Sequence, residues 1–222
     1  PAPAAMKQLT LPFAAPAAFA AQDFCAAPSN AAARALLAAA DSWSGGRLVL
    51  WGPAGAGKTH LLHIWARDCG AALLPGPTLT GIPPACGPVA IDDADITPDP
   101  RALLHLLNST AEAGHPALLT ARLAPARQPI KLADLASRLR AASAVEIRAP
   151  EDELLAQLLT RLSAERQLAL SPAVQTYLLT HLPRTAGALR EAVARLDRAV
   201  AERHLRLTRQ AAAEILGDLL DE

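Results

Sequence analysis

Residues Arg47-Leu48-Val49-Leu50-Trp51-Gly52-Pro53-Ala54-Gly55-Ala56-Gly57-Lys58-Thr59 decide the fold. The short apolar run after Gly45-Gly46 reads as a buried strand, and it leads directly into G-x-x-x-x-G-K-[ST] at 52–59. In that pattern Gly52, Pro53, Ala54, Gly55, Ala56 and Gly57 form a cradle. The glycines let backbone N–H groups turn inward around the β- and γ-phosphates, and the helix starting near Lys58 presents its positive end to the same anion. Lys58 adds a mobile point charge, and the Thr59 hydroxyl is placed to ligate Mg²⁺. A glycine- and alanine-rich turn in a chain rich in both is the plain alternative. The position of the loop between a strand and a helix, as phosphate binding demands, argues against it.

Working outward, Val89-Ala90-Ile91-Asp92-Asp93 reads as a second apolar strand ending in acids. Asp92 there can hold Mg²⁺ through water, and Asp93 can orient an attacking water. Further strands are expected at 72–74, 117–120 and 144–147, with helices at about 99–113 and 132–140 between them. Strands alternating with helices predict an α/β fold, a parallel sheet with helices on both faces. From Pro150 the pattern changes to helix after helix, at about 151–167, 172–182, 184–203 and 209–220. Ser171 with Pro172, and Thr208, are the expected caps of two of these. Another helix is expected to start at Ser29-Asn30 and run through Ala40. The division predicted is a flexible tail over 1–22, a nucleotide-binding domain over 23–149 and a small all-α lid domain over 150–222.

Composition narrows the function. Lys+Arg and Asp+Glu are both 21, giving a formal net charge of 0, which argues against a mainly electrostatic nucleic-acid binder. The chain has 52 Ala and 38 Leu but only 6 Val and 7 Ile, so helix is favoured and any sheet is poorly signalled. The three cysteines, Cys25, Cys69 and Cys86, form no C-x-x-C pair, and free thiols in a reducing cytoplasm are the plain reading. Residues 69–91 carry no charge, but five prolines and four glycines within them make a loop rather than a membrane span. Residues 1–28 are an alanine- and proline-rich tail, in which Pro12 and Pro16 break up the helix that a secretory signal needs. Met6 is a candidate start. His63, His105, His115, His181 and His204 have no carboxylate or cysteine neighbours at ligand spacing and read as ordinary polar residues.

Several of these residues carry a family resemblance. Trp51-Gly52, Gly57-Lys58-Thr59-His60-Leu61-Leu62-His63, Ile91-Asp92-Asp93 and Asp134-Leu135-Ala136-Ser137-Arg138-Leu139 resemble the AAA+ module of the DnaA/Hda family, over about residues 23–222. The resemblance implies ADP or ATP with Mg²⁺ as ligands, and Asn30 and His60 beside the nucleotide, since Pro28-Ser29-Asn30 is similar to the family's segment at the adenine. It also implies a role for Thr120, at the end of the third apolar strand, and makes Arg138 an arginine finger that leaves the subunit edge to act on a neighbour's ATP. Family members usually carry an acid where Arg122 stands and a nucleotide-touching arginine where Gly187 stands. Those departures put the chain's own hydrolysis in doubt more than nucleotide binding, and Arg184 and Arg190 lie nearby as substitutes.

Gln8-Leu9-Thr10-Leu11-Pro12-Phe13 is similar to the peptide that docks on the replication sliding clamp. Gln8 suits a polar notch, Pro12 stiffens an extended segment, and Leu11 and Phe13, beside Leu9, suit an apolar pocket. Full-length initiators continue into a helix-turn-helix domain, whereas this chain stops at the lid helices, in keeping with its neutral charge. Taken together, the resemblance implies a clamp-tethered cytoplasmic regulator that binds little or no DNA directly and promotes hydrolysis of ATP held by the initiator DnaA. A helicase loader and an autonomous P-loop ATPase or small-molecule kinase are the rival readings.

Overall fold

The computed structural model describes residues 19–81, 87–203 and 205–220. Five strands, β1 (Arg47–Trp51), β2 (Ala72–Pro75), β3 (Val89–Asp92), β4 (Ala117–Ala121) and β5 (Ser143–Glu146), form one sheet in the order β2-β3-β4-β1-β5. All four pairings are parallel. Eight α-helices accompany them among the described residues: α1 (Ala31–Leu37), α2 (Lys58–Cys69), α3 (Pro100–Glu112), α4 (Ala133–Ala141), α5 (Asp152–Glu165), α6 (Pro172–His181), α7 (Ala186–Arg203) and α8 (Arg209–Leu220).

The sheet is apolar on both faces because successive side chains of a strand point to opposite sides. Val49, Ile91 and Leu119 pack with Leu103, Leu106 and Leu107 of α3 and with Leu135 and Leu139 of α4. Leu48, Leu50 and Leu118 face the other way, onto Leu61, Leu62 and Trp65 of α2. That two-sided burial explains why β1 reads as an unbroken apolar run. β2 lies at the edge, where Leu73 is exposed and Pro75 closes the strand. Helices α5–α8 bury a cluster of their own, including Leu159, Leu178, Val193, Leu196 and Leu216.

Ser171 and Thr208 cap their helices as the sequence suggests, and Asp99, which it does not single out, caps another. Asp99 accepts from the N–H groups of Arg101 and Ala102 at the start of α3, with Pro100 at the first helical position. The Ser171 hydroxyl accepts from Val174 N–H, and that of Thr208 from Ala211 N–H. The first helix is shorter than expected, ending at Leu37 rather than Ala40. The Leu36 carbonyl accepts from Ala39 N–H at 3.1 Å, which tightens the last turn, and from the Trp43 indole N–H at 2.8 Å, while the Trp43 ring packs on Trp65 and holds the chain turned away after Leu37. Asn30 leaves the α1 terminus uncapped. Its side chain instead accepts from Ala27 N–H and donates to the Cys25 carbonyl, fixing the turn before α1. The packed chain also starts earlier than a tail over 1–28 implies, because Phe19 and Phe24 give residues 19–25 something to bury.

Candidate functional site

The carboxyl ends of β1, β3 and β4 gather on one edge, and the loop after β1 runs over them into α2. Gly52 is irreplaceable on steric grounds: its φ is +149° and a Cβ would lie 2.1 Å from the Ile147 carbonyl oxygen. Gly55, at φ +73°, lets the loop pass under Thr185, whose side chain a Cβ would meet at 2.5 Å. Thr185 in turn accepts from Ala188 N–H at the start of α7, so the loop and that helix are in contact. Lys58 is buried, and its ammonium donates to the carbonyls of Gly52 and Pro53, each at 2.8 Å. Burial lowers its pKa, while Asp93, Asp95 and Asp92 act in the opposite sense. The ammonium is thus folded onto the cradle, where arriving phosphate oxygens can replace neutral carbonyls as its acceptors.

Asp92 ends β3 at the centre of a hydroxyl network. Thr59 Oγ1 donates to its carboxylate at 3.0 Å, and Thr120 Oγ1 donates to the same group at 2.6 Å. The Thr120 oxygen also accepts from Asp93 N–H at 2.8 Å. Thr120 is fully buried, so it acts on the two acids rather than on a ligand: it fixes where Asp92 and Asp93 stand. Asp93 adopts a left-handed conformation, φ +50°, over Gly76, where a Cβ would be 2.3 Å from the Asp93 carbonyl oxygen. Burial, with Asp92 and Asp95 close by, pushes the Asp93 carboxyl above the ordinary range. Thr59 and Asp92 are hard oxygen donors, a set that fits Mg²⁺ completed by phosphate oxygens and water. No cluster of three or more His, Cys, Asp or Glu side chains suited to a metal occurs among the described residues.

Asp95 belongs to this edge and is not a residue the sequence singles out. Its Oδ2 accepts from Arg122 N–H at 2.8 Å and its Oδ1 is buried without a partner. The charge of Arg122 acts weakly on Lys58 and Asp93, at a position where the resembled family carries an acid.

Beside the phosphate cradle is a cavity of about 240 Å³, lined by Phe19, Phe24, Asn30, Leu155, Leu158 and Arg190 among others. Its polar floor is the α2 terminus and its apolar walls come from α5 and residues 19–25, which suits a planar base better than a second charged group. His60 lines it too, but its Nε2 lies 3.0 Å from the Ala20 carbonyl oxygen, between the ring edges of Phe19 and Phe24. Arg161 of α5 pairs with Asp23 and so ties the same segment from the other side. Of the two candidate substitutes for the arginine missing at Gly187, Arg184 is taken by Asp152 at 2.5 Å, and Arg190 lines the cavity.

Burial holds His60 and His63 below the ordinary imidazole range, so the folded chain favours both neutral. A depressed folded pKa gives stability that is complete above the unfolded value of about 6.5 and is lost as pH falls through the folded value. His60→Gln, whose amide can still donate to Ala20, is expected to lose less Tm than the parent between about pH 7.5 and 5.5. Equal losses in the two proteins contradict the assignment.

Arg138 does not join this site. Leu135 and Leu139 bury one side of α4, and Arg138 is exposed on another, with no hydrogen bond or ion pair among the described residues. Its charge acts on Arg47, the first residue of β1, whereas the phosphate loop follows the last. Arg140, two residues on, donates to the Ala136 carbonyl of its own helix at 3.0 Å. Gln8, Leu9, Leu11, Pro12 and Phe13 lie outside the described residues. No described helix is long and apolar enough to cross a membrane.

No family model and no curated protein matches the sequence. Solved structures match in fold. Domain III of the replication initiation protein DnaA from Thermotoga maritima superposes with a TM-score of 0.76 at 17% identity, covering 92% of this chain and 98% of that one. Replication initiator DnaA bound to AMPPCP and single-stranded DNA gives 0.64 at 15% identity, over 82% of this chain and 67% of that one. The RuvB Holliday junction branch migration motor of Thermotoga maritima gives 0.60 at 18% identity, over 78% and 61%. The fold is therefore the α/β P-loop fold of AAA+ proteins, a parallel sheet covered on both faces and followed by a helical lid, as the loop at 52–59 implies.

Proposed function

We propose that this chain is a clamp-tethered AAA+ regulator of the Hda type. It holds ADP or ATP with Mg²⁺ in its own P-loop and promotes hydrolysis of the ATP bound by the replication initiator DnaA, a negative control of initiation in the cytoplasm. The observation that carries the reading is the placement of Arg138, exposed and unpaired at the opposite end of β1 from the chain's own phosphate cradle. A guanidinium so placed is available to a neighbouring molecule and stays charged throughout a phosphoryl transfer. In the chain's own site, Lys58, Thr59 and Asp92 bind and orient the phosphates, and Asp93 is the candidate for positioning water. Thr59 and Asp92 would hold Mg²⁺, whose chemistry there would be to neutralise phosphate charge.

Two further features support the reading. The peptide at 8–13 supplies a tether that would concentrate the regulator at clamp-loaded DNA without base contacts of its own, in keeping with the zero net charge. Arg122 and Gly187 replace groups that resembled proteins use at the γ-phosphate, so the purified chain is expected to turn ATP over far below about 1 s⁻¹ and to hold ADP at least as well as ATP. Turnover near that rate, measured without partners, would contradict this. The tether is tested by pull-down against sliding clamp and, separately, replicative helicase. Parent protein is expected to retain clamp, and Leu11→Ala/Phe13→Ala to lose it with nucleotide affinity unchanged. Clamp retention by the double variant makes the hexapeptide a chance match, and retention of helicase instead of clamp favours a loader.

A further inference from the structure

Arg47 has the wrong surroundings for a structural arginine. It is only 8% exposed, its Nε is buried without a hydrogen-bond partner, and no carboxylate pairs with it among the described residues. Its guanidinium lies over the Gly45 turn, where φ is +58° and a Cβ would stand 3.1 Å from Nη1, so the turn is shaped to leave it room. Arg138 stands at the same end of β1: its carbonyl accepts from Ala142 N–H, and the next residue, Ser143, pairs with Leu48 and accepts from Ser44 N–H at 2.9 Å. Burial first, and this second cation after it, hold the Arg47 pKa below the ordinary range. A largely buried arginine whose Nε has no partner is costly beside a like charge, and a methionine of similar size would fill the space without that cost. Groups of this kind gather where a ligand supplies what the protein withholds, and two guanidiniums at one end of a strand suit an anion with several acceptor oxygens.

The geometry points to a two-arginine anion site at the amino end of β1, in which recessed Arg47 and exposed Arg138 together receive a phosphate group presented by another molecule. That the phosphate belongs to ATP held by the initiator rests on the proposed function; the site itself does not. When empty, Arg47 repels Arg138 and keeps it extended toward solvent. When filled, the anion bridges the two.

The test uses the full chain saturated with ADP, so that the P-loop is occupied, and inorganic tripolyphosphate as the probe, followed by calorimetry and thermal shift. Arg47→Met is expected to raise the Tm of the ligand-free protein while weakening tripolyphosphate binding about tenfold or more. Arg47→Lys, which keeps the charge, is expected to recover part of the affinity. Arg138→Ala should weaken binding comparably, and Arg140→Ala should not. Parental tripolyphosphate affinity in Arg47→Met overturns the site, as does equal loss in Arg47→Lys and Arg47→Met. The same variants are then assayed for stimulation of DnaA-bound ATP hydrolysis, where Arg47→Met should fall with its tripolyphosphate affinity. Weakened tripolyphosphate binding with parental stimulation overturns the partner's ATP as the source of the phosphate. Failure of the parent itself to stimulate counts against the proposed function, and the anion site is then judged on the tripolyphosphate arm alone.

Discussion

Arg138→Ala is expected to leave folding, ADP binding and clamp binding at parental levels and to abolish nearly all acceleration of ATP hydrolysis on DnaA. The first half follows from the side chain's surroundings: it is exposed, it makes no hydrogen bond or ion pair among the described residues, and the charge it meets is the like charge of Arg47. Removing it costs no contact and relieves a repulsion. The second half follows from phosphoryl-transfer chemistry, in which a guanidinium supplied in trans neutralises charge on the transferring oxygens and is worth about 10³–10⁵ in rate. That corresponds to roughly 4–7 kcal/mol of barrier, more than any packing change at an exposed helix position would produce. Arg138→Lys is expected to fail almost as badly, because a point charge cannot reproduce a planar two-pronged contact. Arg140→Ala serves as the control, since Arg140 is engaged with the Ala136 carbonyl of its own helix. The readout is labelled ATP on DnaA, converted to ADP in the presence of clamp-loaded DNA and each variant. Stimulation by Arg138→Ala within a few-fold of the parent would contradict the assigned role.

Lys58→Ala is expected to weaken nucleotide binding by about 10²–10³-fold, the loss of one or two hydrogen bonds between an ammonium and phosphate oxygens. It is not expected to unfold the chain. Among the described residues the buried ammonium is satisfied by the carbonyls of Gly52 and Pro53 alone, and burial opposes its charge, so its removal takes away a cost along with two bonds. Fluorescent ADP titrated against both proteins, with a thermal melt of each, measures the two effects separately. Equal affinities would remove the loop at 52–59 from the site.

The elements legible in the sequence are those whose pattern is local. β1, β3 and β4 each bury both faces, so their apolar runs stand out even in a chain poor in Val and Ile, and Gly52 to Thr59 carries its spacing openly. Ser171 and Thr208 cap helices whose starts they mark. What was not legible depends on residues far apart in the chain. The end of α1 at Leu37 is set by Trp43, and the seat of His60 by Phe19, Ala20 and Phe24 some forty positions earlier. Whether Arg184 or Arg190 faces the cavity turns on Asp152, which captures the first. Asp95 had a signal, being the third acid of Asp92-Asp93-Ala94-Asp95, but its bond to Arg122 N–H requires β3 and β4 side by side. Arg47 had none, since an arginine opening a strand is unremarkable until its side chain is found buried and unpaired.

The most direct test of the proposed function is a single-turnover measurement of ATP prebound to DnaA. The ATP is followed to ADP with parent protein alone, with clamp-loaded DNA alone, and with both. Acceleration is expected only when both are present, by about 10³-fold or more over DnaA by itself. The same rate in all three reactions would contradict it.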